Sequence, residues 1–216
     1  MRMSSIKSFY QDNEGFSVTL DQYRIRSVFQ PIYHLQGCKL FGYEALVRCS
    51  DSKGRNISPE KLFDPTHPKI SRIKIDLIIA TLHAINYRKY KDTITGKLFI
   101  NINPVSIAYL YKHQRTWQTM LKCVYKNSIS NSQYDDTNVV IEIVEEESQS
   151  NTDFIKQLSA LRRKGYIIAI DDFGSGHSNL TRVKKVKPHI VKLDKSILAK
   201  LRSCLLYTSD AADDTC

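Results

Sequence analysis

The chain has 216 residues, of which 42% are hydrophobic and 25% charged, and a formal net charge of +10. This is the composition of an ordinary globular protein, one sizeable domain or most of one. No apolar run is long enough to span a bilayer and residues 1–16 lack the apolar segment of a secretory signal, so the expected location is cytoplasmic.

The five cysteines (Cys38, Cys49, Cys123, Cys204, Cys216) are odd in number and widely spaced, with no CxxC pair, which argues against a disulfide framework and a zinc cluster. The six histidines show no HExxH-type spacing. Two basic clusters stand out, Arg162-Arg163-Lys164 and Lys184-Lys185 with Lys187. The first is expected at a helix C-terminus closed by Gly165, where cations complement the helix dipole. No aromatic stripe is interleaved with these charges, so a nucleic-acid-binding function rests on net charge alone.

In chain order, residues 1–22 are polar without clear periodicity and read as a lead-in or a short N-terminal helix. Residues 27–32 and 40–47 are strand-like and separated by a short segment containing Gln36-Gly37, so the two strands are expected to pair antiparallel. Ser71 is the candidate N-cap of a helix whose buried face carries Ile75, Ile78, Ile79, Leu82 and Ile85. Then come a strand at 98–102, a helix over about 105–125, a strand at 139–144, a helix at 153–164, a strand at 166–170, a Gly-containing loop with a short helix, and a strand at 190–193. This βαβα alternation predicts an α/β barrel or a doubly wound sheet.

Successive apolar runs end on residues able to do chemistry: Asn101, Glu142, Asp171 with Asp172, and Lys192, while Glu44 lies in the strand at 40–47. In a parallel barrel the carboxyl ends of the strands meet on one rim. Glu44, Asn101, Glu142, Asp171 and Asp172 together offer the oxygen set that a hard divalent cation requires. Asp172 is expected to point away from Asp171, where it could serve a second ion. Lys192 could hold an attacking water or stabilise charge on a phosphate. Singly, an acid at a strand end is more often a solvated cap. Repetition over successive strands is what points to a site.

The ordered motifs Phe29-Gln30-Pro31-Ile32, Tyr43-Glu44-Ala45-Leu46-Val47-Arg48, Asn101-Ile102-Asn103-Pro104, Glu142-Ile143-Val144-Glu145, Asp171-Asp172-Phe173-Gly174-Ser175-Gly176 and Lys192-Leu193-Asp194 resemble the EAL family of cyclic di-GMP phosphodiesterases. The resemblance implies a (β/α)8 TIM-like barrel with one antiparallel strand. It implies Glu44, Asn101, Glu142, Asp171 and Asp172 as metal ligands for Mg2+ or Mn2+, Lys192 and Asp172 as catalytic residues, and Gln30, Leu46 and Arg48 as substrate contacts. Glu145 would steady the loop after the Asp171 strand. The implied reaction opens cyclic di-GMP to linear pGpG. The alternative is a non-catalytic module acting as a cyclic di-GMP receptor or protein-interaction domain. Cyclic di-GMP is the expected partner, with no DNA or RNA polymer, and the intact domain could form a homodimer. Ser175, His177 and Asn103 depart from the commoner Thr, Tyr and Ser.

The division expected is a lead-in at 1–22, a partial EAL domain at 23–203, and a tail at 204–216. The tail, from Cys204-Leu205-Leu206-Tyr207-Thr208-Ser209 to Asp214, resembles the conceptual translation of a transposase sequencing adapter and is read as foreign to the gene. The family's later strands are not in the sequence, including a Glu-Gly-Val-Glu segment whose first glutamate is a candidate general base. The barrel is therefore expected to be incomplete at the C-terminus and the 216-residue chain inactive by itself.

Overall fold

The computed structural model describes residues 6–34, 37, 39–63, 69–90, 96–113, 139–143, 152–174, 180–194 and 196–197. Its strands are β1 (Ile6–Asp12), β2 (Gly15–Leu20), β3 (Tyr23–Tyr33), β4 (Leu40–Ser50), β5 (Asn56–Ile57), β6 (Lys97–Ile102), β7 (Val139–Ile143), β8 (Ile167–Phe173) and β9 (Ile190–Leu193). A 3-10 turn spans Pro59–Leu62, and the helices are α1 (Lys69–Lys89), α2 (Pro104–Lys112), α3 (Thr152–Arg163) and α4 (Leu180–Val186). All nine strands join in one sheet, ordered β1-β2-β3-β4-β6-β7-β8-β9, with β5 pairing on β4. The first four are antiparallel neighbours. From β4 onward, β6, β7, β8 and β9 add in parallel.

The parallel strands read as continuous apolar runs because both faces are covered. One face (Ala45, Leu98, Ile100, Ile102, Ile141, Ile143, Ile168, Ile170) packs against α1, α2, α3 and α4 through residues such as Ala80, Ala84, Ile107, Leu158 and Val186. On the other face Phe99, Val140 and Ala169 form a separate buried cluster with Ile32, Phe41 and Ile190. The described helices therefore pack on the same side of the sheet; a doubly wound sheet would carry them on both.

The pairing is also staggered. Glu44 lies opposite Phe99, so Asn101 stands two residues further on; Asn101 is level with Glu142; Glu142 is level with Ala169, two residues before Asp171; and Ala169 is level with Ile190, two residues before Lys192. The polar residues thus climb the sheet two residues at every second strand. An average step of about one residue per strand is the shear of an eight-stranded parallel barrel.

Three expectations need correction. Residues 6–20 are not a helix or an unpaired lead-in: β1 and β2 form a hairpin hydrogen-bonded to β3. Phe16, Val18 and Leu20 alternate with polar Ser17 and Thr19, a strand pattern confined to one short run, and Ser17 is buried where α1 packs on β2. Ser71 lies inside α1, which already begins at Lys69, and is not its N-cap. On α1, Ile78 and Ile85 are only half-buried, while His83 and Asn86 are buried. The expected helix at 105–125 is described only as α2, capped by Asn103 with Pro104 in its first turn; residues 114–138 lie outside the described residues.

Helix α3 ends as expected on Gly165. Gly165 N–H donates to Arg162 O at 2.9 Å and Tyr166 N–H to Leu161 O at 3.2 Å, the paired bonds of a Schellman motif, with φ of +91° at the glycine. A Cβ there would meet no atom within 4 Å, so only the left-handed backbone opposes substitution. Gly165→Ala is expected to cost about 1 kcal/mol, measured as a shift of the urea midpoint at unchanged slope. Arg162 serves another helix: its Nη1 donates to Val186 O at 2.6 Å and Lys187 O at 2.5 Å, capping the C-terminus of α4.

Candidate functional site

Strand alternation places Glu44, Leu46 and Arg48 on one face of β4, and the β3 register sets Gln30 directly opposite Glu44. The staggered register continues this face through Asn101, Glu142, Asp171 and Lys192. At Asp171-Asp172 the ladder is broken: Ile170 pairs with Val191 but Phe173 with Leu193, so two residues of β8 oppose Lys192. This β-bulge puts Asp172 at φ +51°, a left-handed conformation that aspartate tolerates better than most residues.

The result is a carboxylate cage. Glu44, Glu142 and Asp171 each bring an oxygen within 4.8 Å of the others. Lys192 Nζ lies 2.7 Å from Glu44 Oε2, 2.8 Å from Glu142 Oε1 and 3.1 Å from Asp171 Oδ1. Asn101 Nδ2 donates to Glu44 Oε1 at 3.3 Å, which leaves the Asn101 carbonyl oxygen as a further ligand atom.

The charges do not balance, since three carboxylates face one ammonium. Glu142 is fully buried. Burial, with Glu44 and Asp171 beside it, pushes its carboxyl up to about 8 against the opposing pull of Lys192. Burial pulls Lys192 down, but Glu142, Glu44 and Asp171 outweigh it and hold the ammonium above its ordinary range. Glu142 Oε2 is buried without a hydrogen-bond partner among the described residues. A buried, unsatisfied carboxylate oxygen in a cage with excess negative charge fits a hard divalent cation.

The other expected site residues are placed as follows. Asp172 is exposed and stands outside the three-carboxylate cage. Partial burial and the carboxylates of Asp171 and Asp194 raise its carboxyl above the usual range. Arg48 is exposed, with Nη1 donating to Val47 O at 3.0 Å; Leu46 is half-buried and Gln30 exposed. Glu145, Ser175 and His177 lie outside the described residues.

One supporting residue escaped the sequence reading. Asp76, buried on α1, accepts the Asn103 N–H at 3.1 Å, and Asn103 caps α2 through Val105 N–H at 2.9 Å. Asp76 thereby fixes the turn that follows Asn101. Its signal was an acid inside the apolar stripe of α1, between Ile75 and Ile79. Asp76→Ala is expected to weaken divalent-cation binding severalfold, while Asp76→Asn, which keeps an acceptor oxygen, retains most of it; calorimetric titration of both variants checks this.

The EAL domain family matches residues 14–205. The chain is 26% identical over 162 residues to the cyclic di-GMP phosphodiesterase PdeA of Borreliella burgdorferi, covering 74% of this chain and 23% of that protein. It is 33% identical over 176 residues to the signaling protein YkoW of Bacillus subtilis, covering 81% and 21%. Among solved structures it is similar to a standalone EAL protein from Vibrio cholerae O395 in its c-di-GMP-bound form, with a TM-score of 0.65, 26% identity, and coverage of 89% and 79%. It is also similar to Klebsiella pneumoniae BlrP1 in complex with calcium and cyclic di-GMP, with a TM-score of 0.61, 26% identity, and coverage of 80% and 40%. The chain spans between 20% and 33% of the length of the first curated relatives it matches. With a mixed α/β sheet, a converging acidic cage and a family match over most of its length, the chain belongs to the EAL domain family.

Proposed function

We propose that the intact parent of this chain hydrolyses cyclic di-GMP to linear pGpG with Mg2+ or Mn2+. The observation that carries the reading is the convergence of Glu44, Glu142, Asp171 and Lys192 on one face of the sheet. Relatives named as cyclic di-GMP phosphodiesterases and neighbours solved with that dinucleotide support it. The stagger of the strands and the one-sided helices support a (β/α)8 barrel in which β3 is the antiparallel strand.

In this reading Glu44, Asn101, Glu142 and Asp171 hold the cation and Asp172 serves a second one. A bound divalent cation would neutralise charge on the phosphodiester and acidify a water molecule. Arg48 grips a phosphate with two parallel N–H donors, Gln30 hydrogen-bonds the dinucleotide, and Leu46 packs against it. Lys192 orients the attacking water and stabilises charge developing on the phosphate. Glu145 steadies the loop after β8. The water oxygen bonds to phosphorus, one P–O3′ bond breaks, and the proton goes to the departing 3′ oxygen.

The reaction is assigned to the parent protein, in the cytoplasm. Incubating the parent with cyclic di-GMP and Mg2+, with pGpG followed by mass spectrometry, tests the assignment. Binding without turnover would instead favour the receptor reading, and neither binding nor turnover would overturn both.

A further inference from the structure

The ammonium of Lys192 touches all three carboxylates of the cage, at 2.7, 2.8 and 3.1 Å. A divalent cation held by the unpartnered Glu142 Oε2 and by oxygens of Glu44 and Asp171 would sit beside that ammonium, at about 2.0–2.6 Å from each of its ligand oxygens. Two cations confined so closely repel strongly in a partly desolvated site. That repulsion favours loss of some of the ammonium's contacts when a cation binds. Glu142 and Lys192 also differ in access: the Glu142 side chain is 0% exposed, whereas that of Lys192 is 22% exposed. The carboxylate cannot withdraw, while the lysine has a route outward along a flexible four-carbon stem carrying a compact charge.

We propose that Lys192 is an exchangeable internal counter-ion, occupying the carboxylate cage when the chain is metal-free and displaced from Glu142 and Asp171 when a divalent cation enters. Without it, three converging carboxylates would be left uncompensated, a costly arrangement where one of them is fully buried. The exchange has two consequences. Metal affinity is lowered by the contacts that Lys192 must give up. The displaced ammonium is released toward solvent only after loading, so that it is available to an anionic ligand in the metal-bound form and sequestered in the metal-free one. The inference rests on the cage being a metal site, and its test is independent of turnover.

The test is calorimetric titration of the 216-residue chain and its Lys192→Met variant with Mn2+, without nucleotide. The variant is expected to bind Mn2+ at least about tenfold more tightly, since a competing charge has gone. It is also expected to melt at a lower temperature than the unmodified chain when both are metal-free. Equal or weaker Mn2+ binding by a folded variant would overturn the exchange and leave the metal site standing. Absence of Mn2+ binding to either chain would overturn both. If the variant does not fold, reductive methylation of the unmodified chain decides: Lys192 labelling, read by mass spectrometry of its peptide, should accelerate severalfold with Mn2+, and a rate indifferent to Mn2+ would overturn the exchange.

Discussion

Glu142→Gln in the parent protein is expected to lower cyclic di-GMP turnover by about three orders of magnitude, a loss of about 4 kcal/mol of transition-state stabilisation. Glu142 is the most enclosed member of the cage, and its Oε2 has no hydrogen-bond partner among the described residues. The amide keeps the shape but cannot ionise to meet an entering cation, at a position closed to solvent. Mn2+ affinity should fall in parallel, while the circular dichroism spectrum stays unchanged. Initial rates and calorimetry on one preparation check the pair of effects. Retention of both metal affinity and turnover would remove Glu142 from the proposed ligand set.

The second large effect is on stability, near the C-terminal end of α1. Asn86 is buried, accepts Phe16 N–H at 2.7 Å, and donates to Phe16 O at 2.9 Å and to Ser27 Oγ at 3.2 Å. Its amide thus pairs both backbone groups of a β2 residue and holds the hairpin against the helix. Asn86→Leu strands those groups in a part-buried site and is expected to cost about 3 kcal/mol. For a chain of this length the melting temperature should fall by roughly 6–12 °C.

His83 belongs to the same knot, with Nδ1 2.8 Å from Ser27 Oγ. Because Ser27 already accepts from Asn86, its hydroxyl proton is free to be donated to Nδ1, which requires the neutral ring. Burial lowers the His83 pKa to about 3, from 6.5. The unfolded chain therefore takes up a proton below about pH 6.5 that the folded chain refuses. Its stability contribution is complete above that pH and is lost progressively as pH falls toward 3. The expected loss is several kcal/mol. Urea midpoints between pH 7 and 4 should decline steeply for the natural chain and less steeply for His83→Gln; parallel slopes would exclude His83 as the source.

Much of the parallel half of the sheet was legible in the sequence. Residues in the apolar runs around Ile100, Ile141 and Ile168 are buried on both sides, so hydrophobicity alone marks them, and the polar residue closing each run stands out. Asn101, Glu142, Asp171 and Lys192 were all visible in this way, whereas Glu44, in the middle of its strand, was marked by the motif around it. The N-terminal hairpin was hidden because the alternation of Phe16, Val18 and Leu20 with Ser17 and Thr19 spans one short strand, which needs β3 and α1 to complete it. The polar line Asp76, His83, Asn86 on α1 was passed over because these residues break the apolar pattern that identifies a helix face. They are buried through bonds to chain segments that are distant in sequence.

Which residues can do chemistry, and in what order they occur, follows from the chain alone, because residue type and strand-end position are local properties. That three of those carboxylates close on one lysine arises only in the folded sheet. That outcome depends on register: the two-residue steps between β4 and β6 and between β7 and β8, and the bulge that separates Asp171 from Asp172. Register is a relation between strands, fixed by packing across the sheet, and a shift of one residue would turn each of these side chains to the opposite face.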